Sequence, residues 1–139
     1  MGAVRVKMFR HDASELWPLI GPMVTCREAH KALGGGMFSD SSTVWFVATD
    51  AKGRPLGCCS VRDTPKGFWV ENSWVRPEHR GKGVHRALCA ARDAWLDAAP
   101  AKDRLVCCRE ARWGHYAAKG WEITSHRGSW IYGVKHVAK

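Results

Sequence analysis

Two glycines set among basic side chains are the part of this 139-residue chain whose residue types most plainly serve chemistry: Arg80-Gly81-Lys82-Gly83-Val84-His85-Arg86. Glycine lets main-chain amides approach an anion closely. The first amides of a following helix have no acceptor within that helix, and the helix dipole adds roughly half a positive charge there. Arg80, Lys82 and Arg86 carry the same sign, so the segment has the composition of a phosphate cradle. It is not a Walker loop, because no Gly-Lys-Ser/Thr follows four residues after a first glycine. Nor is it a dinucleotide fingerprint, whose third glycine would fall at Arg86.

A cradle of this kind needs a strand to lead in and a helix to lead out. Phe68 to Val75 reads as the strand, and after the loop Val84, Leu88, Ala91 and Trp95 recur at helical spacing, with Arg86, Arg92, Asp93 and Asp97 on other faces. Pro100 closes that helix. Upstream, Val4 to Phe9 alternates as a first strand, and Asp12 or Ser14 is placed to cap a helix. Pro18, Gly21 and Pro22 interrupt that helical region, a second piece runs from about Thr25 to Leu33, and Gly34-Gly35-Gly36 end it. Thr43 to Ala48 and Pro55 to Arg62 form two strands joined through Asp50-Ala51-Lys52-Gly53, and Asp63-Thr64-Pro65-Lys66-Gly67 turns into the strand before the loop. Downstream follow a strand at Arg104 to Arg109, a short helix over Arg112 to Lys119 stopped by Gly120, and two strands flanking His126-Arg127-Gly128.

Length and composition bound the answer. A chain of 139 residues suits one domain, residues 1–139, with a two-layer core. The absence of a signal peptide and of an apolar run near the ~18 residues that cross a bilayer leads to the expectation of a soluble cytoplasmic protein with no membrane partner. Cys58-Cys59 and Cys107-Cys108 are adjacent pairs inside strands, where neighbours point to opposite faces, so neither a disulfide nor a metal is expected from them. No Cys-x-x-Cys and no spaced histidines accompany the six cysteines, and reduced, mostly buried thiols are the default. Lys and Arg number 22 against 13 Asp and Glu, a net charge of +9. A phosphate-rich ligand accounts for Arg76, Arg80, Lys82, Arg86 and Arg92. The remainder, including Arg5, Lys7, Arg10, Arg104, Arg109, Arg112, Lys119 and Arg127, suits either a solvated surface or a polyanion such as DNA or tRNA, for which eight tryptophans offer stacking surfaces.

The block from Val75 to Leu88 resembles the acetyl-coenzyme A loop of the GCN5-related N-acetyltransferases (GNAT), Arg/Gln-x-x-Gly-x-Gly/Ala between the fourth strand and third helix. Arg80-Gly81-Lys82-Gly83-Val84-His85 follows it except at His85, where the family has a small residue. Tyr116-Ala117-Ala118-Lys119-Gly120-Trp121 looks like the family's Tyr-x-x-x-Gly-Phe, and the order of elements is the family's over nearly the whole chain. The resemblance implies an α/β (α+β) acyl-CoA N-acyltransferase fold, with a mixed sheet of about seven strands flanked by about four helices. It implies acetyl-CoA as co-substrate, no metal, and direct transfer to an amine by a monomer or homodimer.

The same resemblance assigns roles. Aminolysis of a thioester needs a neutral amine, a stabilised oxyanion and a proton for the departing thiolate. Tyr116 matches the tyrosine beside the coenzyme sulfur and would donate that proton. Trp74, Val75 and Arg76 match the bulged strand whose backbone holds the pantetheine arm and oxyanion, while Arg80, Gly81, Lys82, Gly83, Val84, His85 and Arg86 match the phosphate loop. Glu71, the carboxylate on that strand, is the candidate base, acting through water. His85 either points outward as a tolerated substitution, or it reaches a phosphate oxygen or narrows the cleft. Arg109-Glu110-Ala111-Arg112 lacks the asparagine that often holds the arm. Cys89 is a small packing residue, not a nucleophile. Small amines, protein lysines and N-termini are the commonest acceptors in the family. Some members act on aminoacyl-tRNA or DNA bases, and a non-catalytic nucleic-acid-binding module on the same fold is the further alternative.

Overall fold

The structure is a computed structural model and describes residues 3–137. Its elements run β1 (Arg5–Arg10), α1 (Leu16–Val24), α2 (Arg27–Leu33), β2 (Thr43–Thr49), β3 (Pro55–Thr64), β4 (Gly67–Val75), a 3-10 turn (Pro77–His79), α3 (Val84–Ala98), β5 (Arg104–Arg109), α4 (Glu110–Ala117), β6 (Glu122–Arg127) and β7 (Trp130–Lys135). The strands form one seven-stranded mixed sheet in the order β1-β2-β3-β4-β5-β7-β6. All neighbours pair antiparallel except β4 and β5, the pair that α3 connects as a crossover.

Alternation along the central strands sends side chains to two cores. Phe46, Ala48, Cys59, Val61, Phe68 and Val70 pack under Val84, Leu88 and Leu96 of α3 on one face. On the other, Trp45, Val47 and Cys58 pack against Leu16, Ile20 and Met23 of α1 and Ala29 of α2. Adjacent Cys58 and Cys59 therefore do separate to opposite faces, and all six cysteines are free thiols.

One expectation about the first helix fails. Pro18, Gly21 and Pro22 do not interrupt it, since α1 continues from Leu16 to Val24 with Pro22 inside. A proline in the first turn forfeits no bond, and Pro22 forfeits one. Burial of Leu16, Ile20 and Met23, each at most 1% exposed, outweighs that loss. Neither Asp12 nor Ser14 caps the helix, because its N-cap position falls at Glu15. α2 ends as the glycines imply, with Gly34 left-handed at φ 79°. Gly34 also does more than stop the helix, since a Cβ there would lie 2.5 Å from the Trp130 ring.

Candidate functional site

A single irregularity in β4 opens the site. Asn72 takes φ 56°, outside the strand region, and two residues of β4 face one of β3 between the Cys58–Trp74 and Ser60–Glu71 pairs. The bulge switches the facing of the strand: Val70 points into the α3 core, whereas Trp74 points into the α1/α2 core. The Asn72 side chain holds this conformation. Its Nδ2 donates to the Phe38 carbonyl and to Ser60 Oγ, both at 2.8 Å, and its Oδ1 accepts from the Phe38 amide at 3.1 Å. β5 pairs with β4 only at Phe68–Arg104 and Trp69–Leu105, so beyond Trp69 the two strands diverge.

The gap between them is a cleft of about 420 Å³, lined by Glu71, Trp74, Arg92, Cys107, Tyr116 and Trp130 among others. Its backbone edge is asymmetric. The Arg76 amide donates to the Leu56 carbonyl at 3.0 Å. Bonded and non-bonded pairs alternate in an antiparallel ladder, so Val75, one residue earlier, turns its N–H and C=O away from β3 toward the gap. Consistently, the Val75 carbonyl accepts from Arg80 Nε at 2.9 Å. Of the three expected backbone positions, Trp74 lines the cleft and Val75 the adjoining groove, while the Arg76 amide is taken up by Leu56. Trp74 is a buried wall over which the Arg80 guanidinium lies at 4.6 Å.

The glycine loop expected to hold phosphates follows directly. Gly81 and Gly83 hold φ 74° and 83°, conformations that favour glycine, with nothing within 4 Å of where a Cβ would stand. The requirement for glycine is thus conformational, and the space above the loop is free for a ligand. Gly83 is the N-cap of the 15-residue helix α3, with no side chain over its first amides. Lys82 and Arg86 are exposed. A groove lined by Arg80, Gly83, His85, Cys89, His115 and Lys119 joins this loop to the cleft.

The interior of the site holds groups that the sequence pattern does not announce. Arg92, read from its spacing as off the apolar face of α3 though counted with the charge that serves a phosphate-rich ligand, is only 3% exposed and lines the cleft. Its Nε and Nη1 have no hydrogen-bond partner among the described residues, and its Nη2 lies 3.8 Å from Cys89 Sγ. Tyr116 is half-buried among Trp113, His115 and Trp121. Burial pushes its phenol above the usual tyrosine range, against which the nearby Arg92 cation works. His85 does not point outward: it packs edge-on to His115 at 5.3 Å between ring centres, and burial, then His115 and Arg92, pull its pKa down to about 4. Burial and Lys119 lower that of His115 as well.

Glu71 reaches the cleft already engaged. Its two oxygens accept from Arg62 Nε and Nη2 at 2.9 and 3.0 Å, and the Arg62 guanidinium lies 4.9 Å from the Phe38 ring. Arg109 closes the opposite wall, stacking on Trp130 and donating to the Lys31 and Ala32 carbonyls at the end of α2. Arg112 lines the cleft as well, whereas the other surplus basic residues do not gather around it. Arg5, Lys7 and Arg10 sit on edge strand β1 and Arg127 on the opposite edge, β6. Arg104 pairs with Asp97 at 2.7 Å and Lys119 with Asp93 at 3.5 Å. Among the described residues no helix is long and apolar enough to cross a membrane.

Comparison with solved structures finds the same fold at low identity. ElaA of Escherichia coli superposes with a TM-score of 0.71 at 10% identity, over 96% of this chain and 100% of that one. An acyl-CoA N-acyltransferase from Pseudomonas aeruginosa gives 0.68 at 18%, over 96% and 99%. The PaiA N-acetyltransferase of Thermoplasma acidophilum, solved in complex with coenzyme A, gives 0.64 at 14%, over 95% and 99%. No curated protein sequence matches the chain at a significant level. The family profile of the acetyltransferase (GNAT) domain matches residues 40–123, more than half of the chain, and spans the bulge, the phosphate loop and Tyr116. The chain therefore belongs to the GNAT acetyltransferase family, with the acyl-CoA N-acyltransferase fold.

Proposed function

We propose that this protein transfers an acetyl group from acetyl-CoA directly to a primary amine, with Tyr116 as the acid. The observation that carries the reading is the separation of β4 from β5 beyond Trp69, with the glycine loop at one end and Tyr116 in its wall. The gap fits an extended arm that adds to the free edge of β4, and the open space over Gly81 and Gly83 fits the phosphates.

Each residue then has a defined task. The α3 N-terminal amides, Lys82 and Arg86 bind the phosphates, and the left-handed Gly81 and Gly83 shape the loop. Arg80 braces it by bonding back to Val75. The Val75 N–H pairs with the arm and meets the oxygen on which negative charge develops as the amine attacks. Tyr116, a phenol that burial raises further above its ordinary value and that is therefore protonated at neutral pH, gives its proton to the departing thiolate. Arg92 lies beside that phenol as a fixed cation and stabilises the negative charge passing between sulfur and phenol oxygen. Glu71, oriented by Arg62, attracts the incoming ammonium group and takes its proton through water.

Release of free thiol from acetyl-CoA, measured with polyamine, aminoglycoside, peptide, tRNA and DNA acceptors, tests the reading. Turnover with at least one amine is expected, and turnover with a nucleic acid alone would move the acceptor class to DNA or RNA. Absence of turnover with every acceptor, with salt-dependent DNA binding in its place, would make the chain a binding module. For Glu71, Glu71→Gln is expected to lower turnover most below neutral pH, where the amine is most protonated; a uniform loss at all pH values would leave it only an anchoring role.

A further inference from the structure

His85 and Cys89 stand one turn apart on α3, and His115 faces them from α4. Every pair of their donor atoms lies within 4.8 Å. His85 Nε2 is 3.5 Å from Cys89 Sγ. Zinc bonds of ~2.0 Å to nitrogen and ~2.3 Å to sulfur, arranged tetrahedrally, put an imidazole nitrogen about 3.5 Å from a thiolate. The two α3 donors thus already have the spacing of a metal pair, and the half-exposed His115 ring needs to close by roughly 1 Å to complete it. We propose that His85, Cys89 and His115 form a site for a zinc-class divalent metal, and that metal bound there excludes the coenzyme.

Three features support the first part. Two imidazoles and a thiolate are a borderline-soft donor set of the kind that zinc takes with a fourth position open. The two partly buried rings face each other with centres 5.3 Å apart, so both present nitrogen to one point beside Cys89. Arg92 supplies what a coordinated thiolate lacks, since its guanidinium approaches Cys89 Sγ at 3.8 Å and holds donors without partners among the described residues. Coordination removes the Cys89 proton, and the resulting negative charge faces the buried Arg92 cation, which is placed to stabilise it. The cations Arg92, Arg112 and Lys119 oppose a dication, and the thiolate together with Asp93, which pairs with Lys119 at 3.5 Å, offsets that repulsion.

The second part rests on the acetyl-CoA reading. His85 and His115 line both the groove below the phosphate loop and the cleft beyond it. The three donors therefore occupy the passage that an arm anchored at the loop has to follow to reach Tyr116.

Titration of the reduced, metal-free chain with Co2+ under anaerobic conditions tests the site. One equivalent is expected to bind with intense tetrahedral d–d bands and a thiolate-to-cobalt charge-transfer band, and Zn2+ is expected to displace it. Cys89→Ser should abolish the charge-transfer band, and His115→Gln, on a more exposed helix that leaves the core intact, should weaken binding by about 100-fold or more. Cys26→Ser and Cys107→Ser should leave the spectrum unchanged. A band that persists in Cys89→Ser, a weak octahedral spectrum, or undiminished affinity in His115→Gln overturns the site. For exclusion, desulfo-coenzyme A, which has no thiol to chelate metal, is the probe. Saturating Zn2+ should raise its Kd at least tenfold, and an unchanged Kd overturns exclusion. If desulfo-coenzyme A fails to bind the metal-free chain, the coenzyme reading and exclusion fall together, while the cobalt spectrum still decides the metal site.

Discussion

The groove under the glycine loop and the cleft between β4 and β5 adjoin each other yet are built by opposite means. The loop that borders the groove presents mostly backbone: Gly81 and Gly83 in left-handed conformations, bare helix amides, and exposed Lys82 and Arg86 in water. The cleft is made of side chains held away from water: Arg92 at 3% exposure, the raised phenol of Tyr116, and Asn72 bonded three times at the bulge. A site that holds phosphates needs donors at fixed positions and tolerates solvent. A site that moves charge needs a low dielectric, in which one cation or one proton weighs more.

If that division is right, substitutions in the two regions separate stability, kcat and coenzyme affinity. The largest effect is expected at the bulge. Asn72→Ala removes three hydrogen bonds and puts at φ 56° a residue that tolerates the left-handed region less well than asparagine, and should cost about 3 kcal/mol in denaturant unfolding. Asn72→Gly, which suits the backbone but not the bonds, should recover part of it; equal losses would mean that conformation plays no role.

Next comes Tyr116→Phe, expected to lower kcat by about 100-fold while coenzyme Kd stays within a factor of two to three, by isothermal titration. A shared loss in both would place Tyr116 in binding and erase the contrast with the groove. Gly83→Ala is its mirror image. At φ 83° an alanine costs about 1–2 kcal/mol, so coenzyme affinity should fall about tenfold with saturated kcat little changed.

The smallest effect sharpens the comparison from inside the cleft. Arg92→Met replaces a buried cation lacking two partners by an apolar chain and should raise stability by about 1 kcal/mol while lowering kcat. Tyr116 already titrates above its ordinary value of 10.0 in the folded chain, so the folded state favours the protonated phenol. Its contribution to stability is complete below pH 10 and is lost as pH rises through the folded pKa. Removing Arg92 takes away the opposing cation and moves that loss to still higher pH, which ultraviolet titration of the phenol reads directly; a downward move would show that Arg92 does not act on Tyr116.

Much of the groove was legible because glycine spacing and charge are local properties. Strand Arg104–Arg109 falls where its apolar pattern puts it, and Gly34 ends α2 as its conformational freedom implies. The first helix was not legible through Pro18 and Pro22, since local breakers were overridden by burial that only the assembled sheet supplies. Arg92 was misplaced for a related reason. A charged residue in an amphipathic helix reads as outward-facing, and nothing local signals that the strands below part to leave it a cleft.

By itself the sequence determined the glycine loop, the alternation of strands and helices, and the tyrosine block, because each depends on residues close together in the chain. Only the tertiary structure decided which amide of β4 faces the gap, that Glu71 arrives paired with Arg62, and that His85, Cys89 and His115 converge. Those outcomes depend on a one-residue bulge and on the packing of α3 against α4. Such features arise from contacts between distant segments, which neither spacing nor composition encodes.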